Sequence, residues 1–182
     1  VTLTQNGKNL ISAALFLVLV GAGFMLYLDR RDNASQRGPG VGSMAPDMSL
    51  PLLGSTEMMS VQQYRGKTVL LDFWATWCPP CREQMPVVQK LEVDPELSDS
   101  LQIISINLDD ANAGRDAKVA QYLQENGYTF SVVLGSGQSM SDYGVDYLPT
   151  LVLVSPDGTI SFSGSGVHTE AELRKLIKKG AK

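Results

Sequence analysis

The sequence predicts an α/β fold, with a mixed central sheet flanked by helices and an N-terminal transmembrane helix ahead of it. Three observations carry this. The runs "TVLLDFW" (68–74) and "LQIISINL" (101–108) are too continuously apolar for half-exposed strands and read as strands buried on both faces. Segments with apolar residues at helical spacing alternate with such strands, and the chain closes on a hairpin plus a helix, the order expected of α/β layering. Finally, "LISAALFLVLVGAGFMLYL" (10–28) holds 19 residues without a charge, enough to cross a bilayer core as one helix.

Residues 1–9 form a short N-terminal tail before that span. A cleaved signal peptide is the competing reading, with Val20 and Ala22 as small residues before a cut. A signal's apolar region usually runs about 7–15 residues, however, and here it continues through "FMLYL". A retained anchor is therefore expected. Lys8 precedes the span and Arg30, Arg31 and Arg37 follow it, a balance that leans slightly towards a cytoplasmic C-terminal part. Residues 29–43, "DRRDNASQRGPGVGS", are nearly devoid of apolar side chains and read as a flexible tether. Such a stretch spans roughly 20 Å on average.

The folded part is expected over 44–182. "MSLPLLG" and "STEMMS" suggest a short hairpin, and "VQQYRGK" a helical turn closed by Gly66. The buried strand 68–74 follows, then a helix from Pro79 in which Met85, Val88 and Leu91 recur at helical spacing and Pro86 should introduce a kink. After the second buried strand comes an amphipathic helix, "RDAKVAQYLQENG", stopped at Gly127. "TFSVVLG" is a third strand, and "TLVLVSPDGTISFSG" two strands joined by a Pro-Asp-Gly turn. The last helix opens at Thr169 with Glu172 three residues on, a capping box, and ends in basic residues that suit its dipole.

Charge narrows the function classes. Residues 1–43 carry a net +2, and the whole chain is −4, which leaves −6 on the globular part. An acidic domain without a basic stripe excludes nucleic acid as a partner, and any membrane attachment must be hydrophobic.

The chain has two cysteines, Cys78 and Cys81, in "WCPPCR". A structural zinc site needs about four N or S ligands, and two cysteines with one distant histidine, His168, fall short. A purely structural disulfide is a weak alternative, because so short a loop removes little unfolded-chain entropy. Redox exchange fits better: one thiolate attacks a disulfide and the second thiol resolves the mixed disulfide. A helix N-terminus at this point favours the first thiolate. Pro79 and Pro80 fall in the first turn, where a missing N–H costs nothing. No metal and no cofactor are called for.

"VLLDFWATWCPPCREQMP" (69–86), with "YLPTLVLVSPDG" (147–158) further on, resembles the thioredoxin superfamily. More narrowly, it is similar to the membrane-anchored TlpA/ResA-like thiol:disulfide oxidoreductases of bacteria. The resemblance covers roughly 44–182. It implies a thioredoxin-like domain, extracytoplasmic on a single-pass anchor in the bacterial inner membrane. The usual work of such domains is reducing protein disulfides, including those of apocytochromes c, with electrons from a membrane thiol carrier. By position, Cys78 would be the exposed nucleophile and Cys81 the buried resolving thiol, the two forming the redox disulfide. Trp74 and Trp77 would flank them, Trp77 among the substrate-binding residues. Pro149 would be the cis-proline, and Leu148 would offer backbone hydrogen bonds to substrate.

Asp72 lies within a buried strand, where its pKa should rise, making it a candidate proton acceptor for Cys81; the alternative is a carboxylate turned to solvent. At position 84, where many TlpA/ResA-like proteins carry glutamate, this chain has Gln84. Glu83 stands about 100° round the helix and should face water. His168 should be an exposed loop residue. Two other activities remain compatible with the residues: a disulfide-forming oxidant or isomerase, since related scaffolds span roughly −270 to −120 mV, and a non-catalytic module that holds thiol proteins.

Overall fold

The computed structural model describes residues 19–25 and 38–181. Residues 1–37 and 38–182 form separate units. In the first, 19–25 are helical; the expected tail, the rest of the expected span and positions 29–37 of the expected tether lie outside the described residues. No helix among the described residues is long and apolar enough to cross a membrane. The second unit starts at Gly38, within the segment expected as tether.

This unit is the mixed α/β structure expected. A hairpin of β1 (Ser49–Pro51) and β2 (Met58–Ser60) leads into a 3-10 turn, Val61–Tyr64. Then come β3 (Thr68–Trp74), α1 (Pro79–Glu92), β4 (Leu101–Asn107), α2 (Arg115–Asn126), β5 (Val132–Leu134), α3 (Gly137–Tyr143), β6 (Thr150–Val154), β7 (Ile160–Ser165) and α4 (Glu170–Gly180). Their sheet runs β5-β4-β3-β6-β7. β3 pairs parallel with β4 and antiparallel with β6, and β6 pairs antiparallel with β7. One edge of the sheet therefore collects the C-terminal ends of β3, β4 and β7 and the start of β6.

All seven residues of β3 are buried, as its unbroken apolar run demands. Because side chains alternate along a strand, Leu70 and Trp74 enter one core and Val69, Leu71 and Phe73 the other. The first core is covered by helices: Cys81, Met85, Val88 and Leu91 from α1, Val119 from α2, Leu173 and Ile177 from α4. The second is covered largely by chain that the sequence does not mark as structural. A strap contributes Ala45 and Met48, and α3, a helix not expected from the sequence, contributes Tyr143. The Tyr143 ring lies 5.6 Å from that of Phe73, and its hydroxyl donates to the Pro46 carbonyl at 2.8 Å. The strap is further held where Gly42 N–H donates to Ile160 O and Ile160 N–H to Ser43 O, both at 2.8 Å.

Helix ends follow the sequence signals. Thr169 and Glu172 form the capping box of α4, and Gly127 ends α2 in the left-handed region. α1 continues through Pro86 to Glu92, with the proline on its exposed side.

Gly127 and Gly144 cap α2 and α3 with nearly equal positive φ, 68° and 62°. They differ in surroundings: a Cβ on Gly127 meets open space, whereas one on Gly144 would lie 2.7 Å from the backbone nitrogen of Gly38. Gly127→Ala should cost roughly 1 kcal/mol, the left-handed conformational penalty. Gly144→Ala should cost measurably more, the excess reporting on the strap. Urea midpoints of the two variants check this, and equal losses would mean that the strap gives way freely.

Candidate active site

The site is built where β3 runs into α1. Cys78 is the N-cap of α1, in extended conformation, and its Sγ accepts the Cys81 N–H at 3.3 Å. Pro79 and Pro80 occupy the first turn, as their missing N–H groups allow. Cys78 and Cys81 are joined as a disulfide with an S–S distance of 2.06 Å. The expected contrast in exposure is small: Cys78 is 3% exposed and Cys81 0%. Cys78 is therefore not exposed in this oxidised form, because its sulfur turns back over the start of the helix and is held by Cys81 on both counts.

The loop ahead of the disulfide is fixed by a residue that sequence reasoning missed. Asp109, just past β4, accepts the Thr76 N–H at 2.7 Å and the Thr76 hydroxyl at 2.5 Å, and pairs with Lys118 Nζ at 2.8 Å. Burial alone would raise the Asp109 pKa; the Lys118 and Thr76 bonds outweigh it and hold the carboxyl below its ordinary value. Arg82, one turn into α1, donates from Nη2 to the Thr76 carbonyl at 2.9 Å. The only sequence signal was an acid immediately after a buried strand.

Asp72 is 1% exposed, which removes the solvent-facing alternative. By strand alternation its side chain shares the Leu70 and Trp74 face, the face against which α1 and Cys81 pack. Ser105 donates to Oδ2 at 3.4 Å, while Oδ1 has no partner among the described residues. Desolvation therefore dominates and pushes the carboxyl up to about 7, against a small opposing effect of the Ser105 bond.

Opposite the disulfide-bearing helix, the Leu148–Pro149 peptide is cis, as the resemblance implied. Among the described residues no hydrogen bond takes up the Leu148 amide or carbonyl. Trp77, Tyr147 and Val167 each expose apolar surface on a different loop, whereas Trp74 is buried. Beside Trp77 a shallow hollow of about 300 Å³ is lined by Thr76, Arg82, Lys118, Gln121 and Tyr122. Among the described residues no three His, Cys, Asp or Glu side chains are grouped to hold a metal ion.

Glu83 faces solvent, as expected, and Gln84 is wholly buried. Gln84 Oε1 accepts the His168 N–H at 2.6 Å, but its Nε2 has no partner among the described residues, at a cost of about 1–3 kcal/mol. His168 is not the exposed loop residue expected. Its ring packs edge-on against Phe162 at 5.3 Å, with Nε2 buried, because the chain turns inward before α4 to reach Gln84.

The family model for AhpC/TSA proteins matches residues 41–163, a segment that contains the disulfide, Asp72 and the cis-proline. The chain belongs to the AhpC/TSA family. It is 33% identical to the thioredoxin-like protein YneN of Bacillus subtilis, over 93% of this chain and 97% of that protein. It is 31% identical to the thiol-disulfide oxidoreductase ResA of Bacillus thuringiensis, over 96% and 98%. Among solved structures it is similar to StoA from Bacillus subtilis, with a TM-score of 0.62 and 28% identity, over 76% of this chain and 98% of that one. This AhpC/TSA member thus has the thioredoxin-like fold that its motif implied, and it is a thiol-disulfide oxidoreductase.

The raised Asp72 pKa has a stability signature. Between the ordinary 3.8 and about 7 the folded protein keeps a proton that the unfolded chain has lost. Stability must therefore fall as pH rises through that window, by up to about 4 kcal/mol for a shift of this size. Asp72→Asn cannot ionise, so its stability advantage over the parent should grow between pH 4 and pH 7.5. Parallel urea-midpoint curves for the two proteins across that range would show that the carboxylate is solvated.

Proposed function

We propose that this oxidoreductase reduces protein disulfides outside the cytoplasm, tethered to the membrane by residues 10–28. The observation that carries the chemistry is a redox-spaced cysteine pair at a helix start, with a buried carboxyl of pKa about 7 on the strand that leads into it. In the forward step the Cys78 thiolate attacks a substrate disulfide, forming a mixed disulfide and releasing one substrate thiolate, which takes up a proton. Asp72 accepts the Cys81 proton. The resulting thiolate attacks Cys78 Sγ, closing the Cys78–Cys81 disulfide and expelling the second substrate sulfur. Two electrons pass from the dithiol to the substrate, and a membrane thiol carrier restores the dithiol. A carboxyl near pKa 7 exchanges protons readily at neutral pH, the condition for such a base.

The substrate class follows from the rim. Backbone groups at Leu148 that have no partner among the described residues suit an extended polypeptide, and the apolar surfaces of Trp77 and Tyr147 suit an unfolded or loosely folded one. An apocytochrome c whose cysteine pair has formed a disulfide is one such substrate, favoured by the resemblance to TlpA/ResA-like proteins. The charge-free run 10–28 supports a retained anchor, and the resemblance supports an extracytoplasmic domain despite the flanking charges.

Insulin reduction with a dithiol donor tests the activity. Cys81→Ser should abolish turnover and accumulate mixed disulfides on Cys78, since the resolving attack is lost; turnover that survives the substitution would sink the dithiol mechanism. Asp72→Asn should slow turnover by roughly 10²- to 10⁴-fold at neutral pH, the range for losing a positioned base. A preference for oxidising reduced substrate, measured against glutathione, would reverse the assigned direction.

Topology is tested separately. Alkaline phosphatase fused after residue 43 should be active and sediment with membranes. An inactive reporter would place the domain in the cytoplasm, and an active but soluble one would indicate cleavage of the span.

A further inference from the structure

We propose that Gln84 is a positioning residue: through the β7–α4 loop, its carboxamide oxygen sets where the Leu148–Pro149 segment stands relative to the disulfide. Gln84 lies one helical turn beyond Cys81 on the buried side of α1. Its Oε1 holds the His168 N–H at 2.6 Å. Two residues earlier, the Gly166 N–H donates to the Pro149 carbonyl at 2.8 Å. One residue before that, the Ser165 and Thr150 hydroxyls bond at 2.8 Å, and Thr150 Oγ1 also bonds the Tyr147 carbonyl at 2.7 Å. Residues 165–168 are thus bonded at one end to the segment 147–150 and at the other to the helix that carries both cysteines.

A side chain needed only to fill this space would be apolar. Gln84 is instead wholly buried with its Nε2 unpartnered among the described residues, so its acceptor oxygen is the group the site uses. The inference rests on the reading of 147–149 as the surface that holds a polypeptide substrate. A protein disulfide must meet that segment and the sulfur together. A small disulfide meets the sulfur alone, and is indifferent to where the segment stands.

Two substrates and two variants separate these cases. Gln84→Met keeps volume and helix propensity but removes the acceptor. Its KM for insulin should rise roughly tenfold with kcat little changed, modest beside the ~100-fold that a 1 Å misplacement can cost. Its kcat/KM for 2-hydroxyethyl disulfide should stay within about twofold of the parent's, as expected where no oriented polypeptide binding is required. Gln84→Glu retains an acceptor oxygen and should restore the insulin KM. Amide hydrogen exchange supplies a readout independent of turnover: in Gln84→Met both His168 and Gly166 should exchange faster, although Gly166 does not bond Gln84. Should the methionine variant not fold, Gln84→Asn, which withdraws the amide by one methylene, carries the same expectations. Equal losses on both substrates, an unchanged insulin KM, or faster exchange confined to His168 would each overturn the proposal. If the parent protein reduces neither substrate, the functional reading fails, and exchange at Gly166 decides the positioning role by itself.

Discussion

Desolvation of one carboxyl sets the terms for the rest of the site. Asp72 sits in the middle of a strand covered on both faces, and among the described residues only one long Ser105 bond offsets the loss of water. In a stability-optimised core this position would be apolar. Holding an acid there is tolerable because the carboxyl can keep its proton, and that same reluctance to ionise brings its pKa into the working range of a thiol. The surrounding architecture sets the disulfide at the end of the same strand. β3 delivers the chain to the sheet edge, two prolines start a helix without wasting donors, and Asp109 pins the intervening loop through both the amide and the hydroxyl of Thr76.

Topology then brings the other participants to the same edge. Since β6 runs antiparallel to β3, its beginning lies where β3 ends, so the cis-proline turn faces the disulfide turn without a long connection. β7 returns in the direction of β3 and places its exit loop beside both. Three short loops from sequence-distant strands are brought to that edge, positioned by the sheet that carries them.

What the sequence revealed and what it concealed divide along physical lines. Elements with long apolar runs or explicit caps, such as β3, β4, α2 and α4, were legible because their signals are local. So were the disulfide turn and, through family resemblance, the cis-proline. α3 was not, since seven residues cannot display a helical period and its capping serine pairs with Ser139 rather than with an acid. Glu83 was placed correctly by helical geometry, and the same geometry held an overlooked signal: Gln84 interrupts the stripe of Cys81, Met85, Val88 and Leu91. A polar residue on an apolar stripe announces a partner, but the partner is the backbone of His168, 84 residues away. Burial of Cys78 and the inward turn of His168 likewise depend on tertiary contacts that no local pattern records.

The strap over the second core has a mechanical consequence. Tension applied at Gly38 would first load the bonds that Gly42 and Ser43 share with Ile160, and then the Tyr143–Pro46 bond. The Ile160 bonds lie along the outer edge of β7, and Ala45, Met48 and Tyr143 pack on the sheet face opposite α1. A tug from upstream therefore peels a peripheral ribbon before any load reaches β3, and the edge that carries the disulfide keeps its alignment.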